Sequence, residues 1–287
     1  MRLPFLLLTP ACVAVGVATA HWQTGASNHL LALLVLVGAL ASHISVNAFN
    51  EYFDFRSGLD AKTERTPFSG GSGTLPNHPE LATGTLWLAV IALVVAALIG
   101  VYVMWLRGWL LFPLGACGLL LVLTYTTWWA YRPVLCLIAP GLGFGLLMVM
   151  GTHFSLTGGY SWPPFAASLL PSFLVSNLLL LNQFPDVDAD RSVGRRNFPI
   201  VYGRSASATL YGLLLVLAYA STIMSVVASV LPAGCLLALL TAPLAFLAWQ
   251  GARSNADNIQ TLIPAMRLNV IINLATPVLL AIGLLAF

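Results

Sequence analysis

Charge is almost missing from this chain. Only 7% of its 287 residues are Asp, Glu, Lys or Arg, against roughly 25% in soluble domains, which excludes a water-soluble globule of this size. Cysteine is scarce as well. Cys12, Cys117, Cys136 and Cys235 are far apart, lack CxxC spacing and lie in or beside apolar runs, which excludes a disulfide scaffold and reads all four as packing residues. What abounds is apolar: 59% of residues, with a mean hydropathy of +0.90, so lipid must be the solvent and neither disorder nor a collagen-like repeat is tenable.

A helix crossing about 30 Å of hydrocarbon needs about 20 mostly apolar residues. Such runs lie at 3–20, 29–53, 82–105, 109–127, 134–156, 165–184, 206–230, 232–250 and 264–286. The first ends in Ala-Thr-Ala like a signal peptide, but only Met1-Arg2 precedes it, so it reads as a membrane span. Pro113, Gly115 and Gly118 interrupt the fourth, which membrane helices tolerate. The expectation is an all-α polytopic membrane protein, nine transmembrane helices in one bundle forming a single domain over residues 1–287.

Nine spans divide the connections into two sets. Eleven of the twelve basic residues fall in one set: Arg2, Arg56, Lys62, Arg65, Arg132, Arg191, Arg195, Arg196, Arg204, Arg253 and Arg267, with Arg107 alone opposite. The positive-inside rule puts that set in the cytoplasm, and the expected location is the cell's inner membrane with both acidic motifs on its cytoplasmic face. All nine carboxylates share that side, although no insertion rule demands it.

Most of these carboxylates sit in two matched segments. NAFNEYFDFRSGLD (Asn47 to Asp60) crosses the end of span two, and NQFPDVDADRSVGRR (Asn182 to Arg196) crosses the end of span six. Each has an Asn, an Asp four positions on and a later Asp: Asn50/Asp54/Asp60 and Asn182/Asp186/Asp190. A recurrence four spans apart on one side suggests a parallel internal repeat, which would bring the motifs face to face. Residues four and seven apart share a helix face, so His43, Asn47, Asn50 and Asp54 form one stripe, as do Asn182, Asp186 and Asp190. At about 100° per residue, Asp188 would point about 200° away from Asp186 if the helix runs on. Such stripes should face inward, since each charge left in lipid costs roughly 2.5 to 3.5 kcal/mol.

Converging carboxylates repel unless a cation lies among them. Asn and Asp oxygens with no thiolate or histidine pair favour Mg²⁺, whose shell commonly includes phosphate oxygens. Lys62, Arg65, Arg195 and Arg196 in the same loops are candidates to neutralise further phosphate charge. A plainer reading makes helix-end Asp and Asn simple caps, but two matched copies argue against it. His43 reads equally as pocket lining or packing, His153 as packing. Asn269 and Asn273 either line the cavity or bond neighbouring helices, and Trp128, Trp129 and Tyr131 read as an interfacial belt.

These segments resemble the UbiA superfamily of intramembrane aromatic prenyltransferases, over nearly the whole chain. The first motif of that family, NDxxD with a later Asp, matches Asn50-Glu51-Tyr52-Phe53-Asp54 with Asp60; the second, DxxxD, matches Asp186 and Asp190. The longer gap to Asp60 is similar to the branch that prenylates 1,4-dihydroxy-2-naphthoate. Asn182, the run Asp190-Arg191 through Gly194-Arg195-Arg196, Tyr125-Thr126, and Arg132 where some relatives have lysine also match. Glu51 for Asp, Pro185 for Arg, and the glycine-rich stretch Thr66 to Gly73 depart from the pattern.

The resemblance implies transfer of a polyprenyl group from an allylic diphosphate to an aromatic quinone precursor in the bilayer, with no nucleic-acid partner. It implies Mg²⁺ on Asn50, Asp54, Asp186 and Asp190, with Asp60 holding a second metal or a basic clamp residue. Asn47, Lys62, Arg65, Arg132, Asn182, Arg195 and Arg196 would bind substrate, and Tyr125 would face the allylic cation. Three other readings stay open from sequence alone: a non-aromatic acceptor, cyclisation of the prenyl chain, and an ion-coupled transporter.

Overall fold

A computed structural model describes residues 3–25 and 28–286; Arg2 lies outside them. Among the described residues every regular element is helical. In chain order the main helices are α1 (Phe5–Thr24), α2 (His29–Arg56), α3 (Pro79–Arg107), α4 (Trp109–Thr124), α5 (Pro133–Thr157), α6 (Trp162–Asn182), α7 (Val187–Ser192), α8 (Phe198–Val227), α9 (Ala233–Ser254) and α10 (Ile259–Leu285). All but α4 and α7 are long and apolar enough to cross a membrane, which gives eight such helices where nine were expected. The fourth run forms a helix only to Thr124, about 24 Å at 1.5 Å per residue. Its chain then turns through Tyr125 to Trp128. Gly115 and Gly118 face open space, so α4 lies on the rim of the bundle.

Helices α1, α6 and α10 are the most enclosed and α3 the least. α6 packs on α5 and α8, α10 on α1 and α9, and α2 on α3. Apolar side chains gain nothing by leaving lipid for one another, so such contacts depend on close approach and on hydrogen bonds. Both occur. A Cβ at Gly141 or Gly145 of α5 would overlap Ser172 of α6. Helix α5 is wound as a π-helix over Gly141–Leu147, just after Pro140. Asn177 of α6 donates to the Tyr211 carbonyl of α8 at 2.8 Å, and the Tyr211 hydroxyl donates to Asn269 of α10 at 3.1 Å. Asn273 donates back to the Asn269 carbonyl at 2.9 Å. Asn177 and Asn269 thus bond neighbouring helices, Asn273 bonds within α10, and none of the three lines the cavity described below.

His43 resolves the same way, bonded to Thr9 at 2.7 Å with its ring edge-on to Phe144. His153 bonds Thr19 at 3.0 Å, as a packing histidine should. Three cysteines are buried, but Cys117 is exposed on α4, so the reading of all four as packing residues fails there.

Helix α6 stops at Asn182. Gln183 to Asp186 form a turn, and α7 begins at Val187. Pro185 lies in this break, so the helix of span six does not run on unbroken through the second motif. Helix α8 is kinked where Gly203 adopts φ 83° and ψ 161°. The next residue, Arg204, donates from Nε to the Phe184 carbonyl at 3.0 Å, fastening the kink to the turn after α6.

Cysteines placed singly at the exposed positions Ser57 and Ser192 should be labelled from one side of the membrane by an impermeant maleimide, and one at Gly159 from the other. Labelling of the first two from opposite sides would contradict this topology.

Candidate active site

The ends of α2 and α6, the 57–78 connection and the segment from Asp186 to Asn197 enclose a cavity of about 240 Å³. Asn47, Asn50, Asp54, Asp60, Tyr125, Asn182, Asp186, Asp190 and Arg195 all line it. The structure therefore brings both acidic motifs to one chamber.

Their side chains are tied together chiefly by Arg195. Its guanidinium donates to Asp54 of the first motif and, at 3.0 Å, to Asp190 of the second. Asn197 donates to the other oxygen of Asp190 at 2.7 Å, while its own carbonyl oxygen caps α8 by accepting from Ile200 N–H at 3.1 Å. Asn50 donates to Asp54 at 2.8 Å and accepts from Thr126 at 3.3 Å. Burial raises the Asp190 carboxyl above its usual range, opposed by Arg195 and Asn197. Burial alone would lower Arg195; the charges of Asp54 and Asp190 outweigh it and hold the guanidinium above its ordinary value.

The second wall is the glycine-rich stretch. Gly70 N–H donates to Asp186 at 3.2 Å, and Ser72 donates to Glu51, so this loop reaches both motifs. Gly70 and Gly71 have φ of 80° and 68°, a region that favours glycine, and a Cβ on Gly71 would press on Asp60. Burial, then the nearby charge of Glu51, pushes the Asp60 carboxyl up to about 6, with Arg65 opposing.

Other expected binding residues stand apart. Lys62 and Arg65 are exposed and outside the cavity lining, although Arg65 packs against Gly73 and its charge reaches Asp60. Arg132 and Arg196 line a separate groove. Missed in the sequence were Asn197, Gln183 and Cys136, the last a cavity-lining thiol that accepts from Gln183 at 3.2 Å. Asn197 was findable: an Asn two residues before a proline and an apolar run is a helix-start signal.

The donor set fits a hard divalent cation, being carboxylate and amide oxygens on one wall. Asp60 Oδ2 and Asn182 Oδ1 are buried with no hydrogen-bond partner, an arrangement that a cation or its water shell would satisfy. Among the described residues, however, no three Asp, Glu, His or Cys side chains are grouped as ligands. The charge of Asp54 and Asp190 is met by Arg195.

Asp188 points away, fully outside the cavity lining and paired with Arg191 at 3.3 Å. The break after α6 leaves this phasing intact, because Asp190 N–H bonds the Asp186 carbonyl at 2.8 Å and forms a helical turn across the motif. Asp188→Ala should therefore retain most turnover, while Asp186→Ala and Asp190→Ala lose about tenfold or more, as removal of a group acting on transition-state charge does. Rates at saturating Mg²⁺ check this; equal loss in all three would place Asp188 in the site.

Comparison with known proteins agrees with this architecture. The chain is 28% identical over 259 residues to the 1,4-dihydroxy-2-naphthoate octaprenyltransferase of Bacillus subtilis (strain 168), covering 89% of this chain and 81% of that protein. It is 30% identical to the UbiA prenyltransferase domain-containing protein 1 of Xenopus tropicalis, over 82% of this chain and 67% of that one. In three dimensions it superposes on the apo structure of a UbiA homolog from Aeropyrum pernix K1 with a TM-score of 0.77 at 19% identity, over 100% of this chain and 98% of the other. Residues 7–271 match the UbiA prenyltransferase family. With nearly its whole length so matched, the chain is a membrane-embedded prenyltransferase and belongs to that family.

Proposed function

We propose that the cavity transfers a polyprenyl group from an allylic diphosphate to an aromatic quinone precursor of the 1,4-dihydroxy-2-naphthoate class, at the cytoplasmic face of the inner membrane and with Mg²⁺. The observation that carries this reading is the convergence of the two acidic motifs on one chamber. Relatives named as naphthoate octaprenyltransferases support the acceptor class.

A diphosphate is strongly anionic, and the chamber offers oxygen donors for a cation, one guanidinium and a glycine-rich wall. Asn50, Asp54, Asp186 and Asp190, with Asp60 beside them, would hold Mg²⁺; when bound it offsets the charge that builds on the leaving diphosphate. Arg195 adds a fixed positive charge on the same wall, already aligned by two carboxylates and so without reorganisation during reaction. Gly70 and Gly71 let the loop backbone come close to phosphate oxygens. The allylic C–O bond breaks toward diphosphate, the Tyr125 ring on the cavity wall faces the resulting cation, and the electron-rich acceptor ring forms the new C–C bond. The ring proton then passes to one of the carboxylates lining the chamber. Phe5, Phe68 and Leu179 give the prenyl tail apolar contact.

A transporter would place its polar site near the bilayer midplane on broken helices, whereas this cavity lies at helix ends.

Purified protein should be given Mg²⁺, a prenyl diphosphate, and separately 1,4-dihydroxy-2-naphthoate, 4-hydroxybenzoate and glycerol phosphate, with products read by mass. The expected outcome is prenylation of the naphthoate, abolished by EDTA, restored by Mg²⁺ and lost in a folded Asp54→Asn variant. Full turnover in chelator would remove the metal from the account, and prenylation of glycerol phosphate alone would overturn the acceptor class.

A further inference from the structure

The turn between α4 and α5 has two sides. Tyr125 and Ala130 line the catalytic chamber, whereas Trp128, Tyr131 and Arg132 line an open groove of about 610 Å³ on the other side. The segment after α7 is split the same way: Arg195 enters the chamber and its neighbour Arg196 enters the groove. The groove thus holds two guanidiniums that take no part in the acidic cluster. Neither has a carboxylate partner among the described residues, although Arg191, Arg195 and Arg204 all do.

Arg132 lies over the Trp128 ring at 4.5 Å. A cation–π contact of this kind holds the guanidinium without using up its N–H donors on a carboxylate, which suits it to a phosphate. The start of α5 adds to this, since Pro133, Val134 and Leu135 line the groove and the first amides of a helix lack internal acceptors. Depth is fixed by connectivity, because a short turn joining two apolar helices lies where hydrocarbon meets water. Just beyond the arginines, Val134 is 55% and Ile138 43% exposed, four residues apart on one face of α5. Cationic donors at the interface followed by an apolar strip match an amphiphile with a phosphate head.

We propose that this groove is a second site, distinct from the catalytic chamber, that binds the phosphate of a membrane-borne lipid through Arg132 and Arg196, with its chain along Val134 and Ile138. Two sources share this chemistry, the head group of an anionic glycerophospholipid and the diphosphate of a prenyl donor held before it reaches the chamber. The site does not depend on how the chamber is read.

Native mass spectrometry of delipidated protein tests it, with phosphatidylglycerol in one arm and farnesyl diphosphate in EDTA in the other. Arg132→Gln with Arg196→Gln should weaken one adduct roughly tenfold or more, as expected for losing charge-assisted hydrogen bonds. The corresponding double lysine variant should largely restore it, and Asp54→Asn should leave the adduct lost in the glutamine variant unchanged. Loss confined to phosphatidylglycerol identifies a phospholipid site, and loss confined to the diphosphate identifies a donor-holding site. Because both arginines are exposed and neither has a carboxylate partner among the described residues, the glutamine variant should melt close to the wild-type temperature. Wild-type binding in both arms, or loss that the lysine pair fails to restore, would overturn the proposal.

Discussion

One guanidinium holds the two halves of this site together. Asp54 ends a membrane helix in the first half of the chain and Asp190 stands on a short helix far along the sequence, yet both close on Arg195. Two buried carboxylates brought together would drive one another to protonate or move apart. Arg195 between them offsets that repulsion and holds them adjacent, and removing one partner of such a buried set costs about 3–5 kcal/mol. Asn197, Asn50 and Thr126 then fix the outer oxygens, and Gly70 closes the loop onto Asp186.

The surrounding bundle serves that constraint. Buried carboxylates are tolerable only at the ends of spans, where loops supply amides and arginines, and the interior is correspondingly bonded by asparagine, tyrosine and threonine rather than by charge. The kink at Gly203 and the bond from Arg204 to Phe184 set the turn after α6 against α8. The same Asp190-to-Asn197 stretch that delivers Arg195 to the chamber sends Arg196 into the separate groove.

Much of this was legible in the sequence, for identifiable reasons. Apolar runs are dictated by bilayer thickness, so all nine apolar segments were visible in the sequence, but length alone counted the fourth as a span where the structure forms a shorter helix. The helical phasing of Asn47, Asn50 and Asp54 correctly placed them on one face, because α2 continues unbroken to Arg56. The second motif was harder. Pro185 hinted at the break after α6, but only the fold shows the following turn recovering the phase so that Asp188 still faces out. Adjacent arginines such as Arg195 and Arg196 carry no sequence signal of which way each points in an extended segment. Likewise Asn269 and Asn273 have the spacing of a cavity stripe, yet partners on α6 and α8 claim Asn269, and Asn273 bonds back to Asn269.

The central claim is that the two motifs form one cation site and not two independent ones. Titration of Mn²⁺ followed by electron paramagnetic resonance, on purified protein with inorganic diphosphate, tests it directly. If the motifs act together, Asp54→Asn and Asp190→Asn should each abolish the same bound population, and the double variant should lose nothing further. Retention of about half the bound Mn²⁺ in each single variant, with complete loss only in the double, would contradict the account.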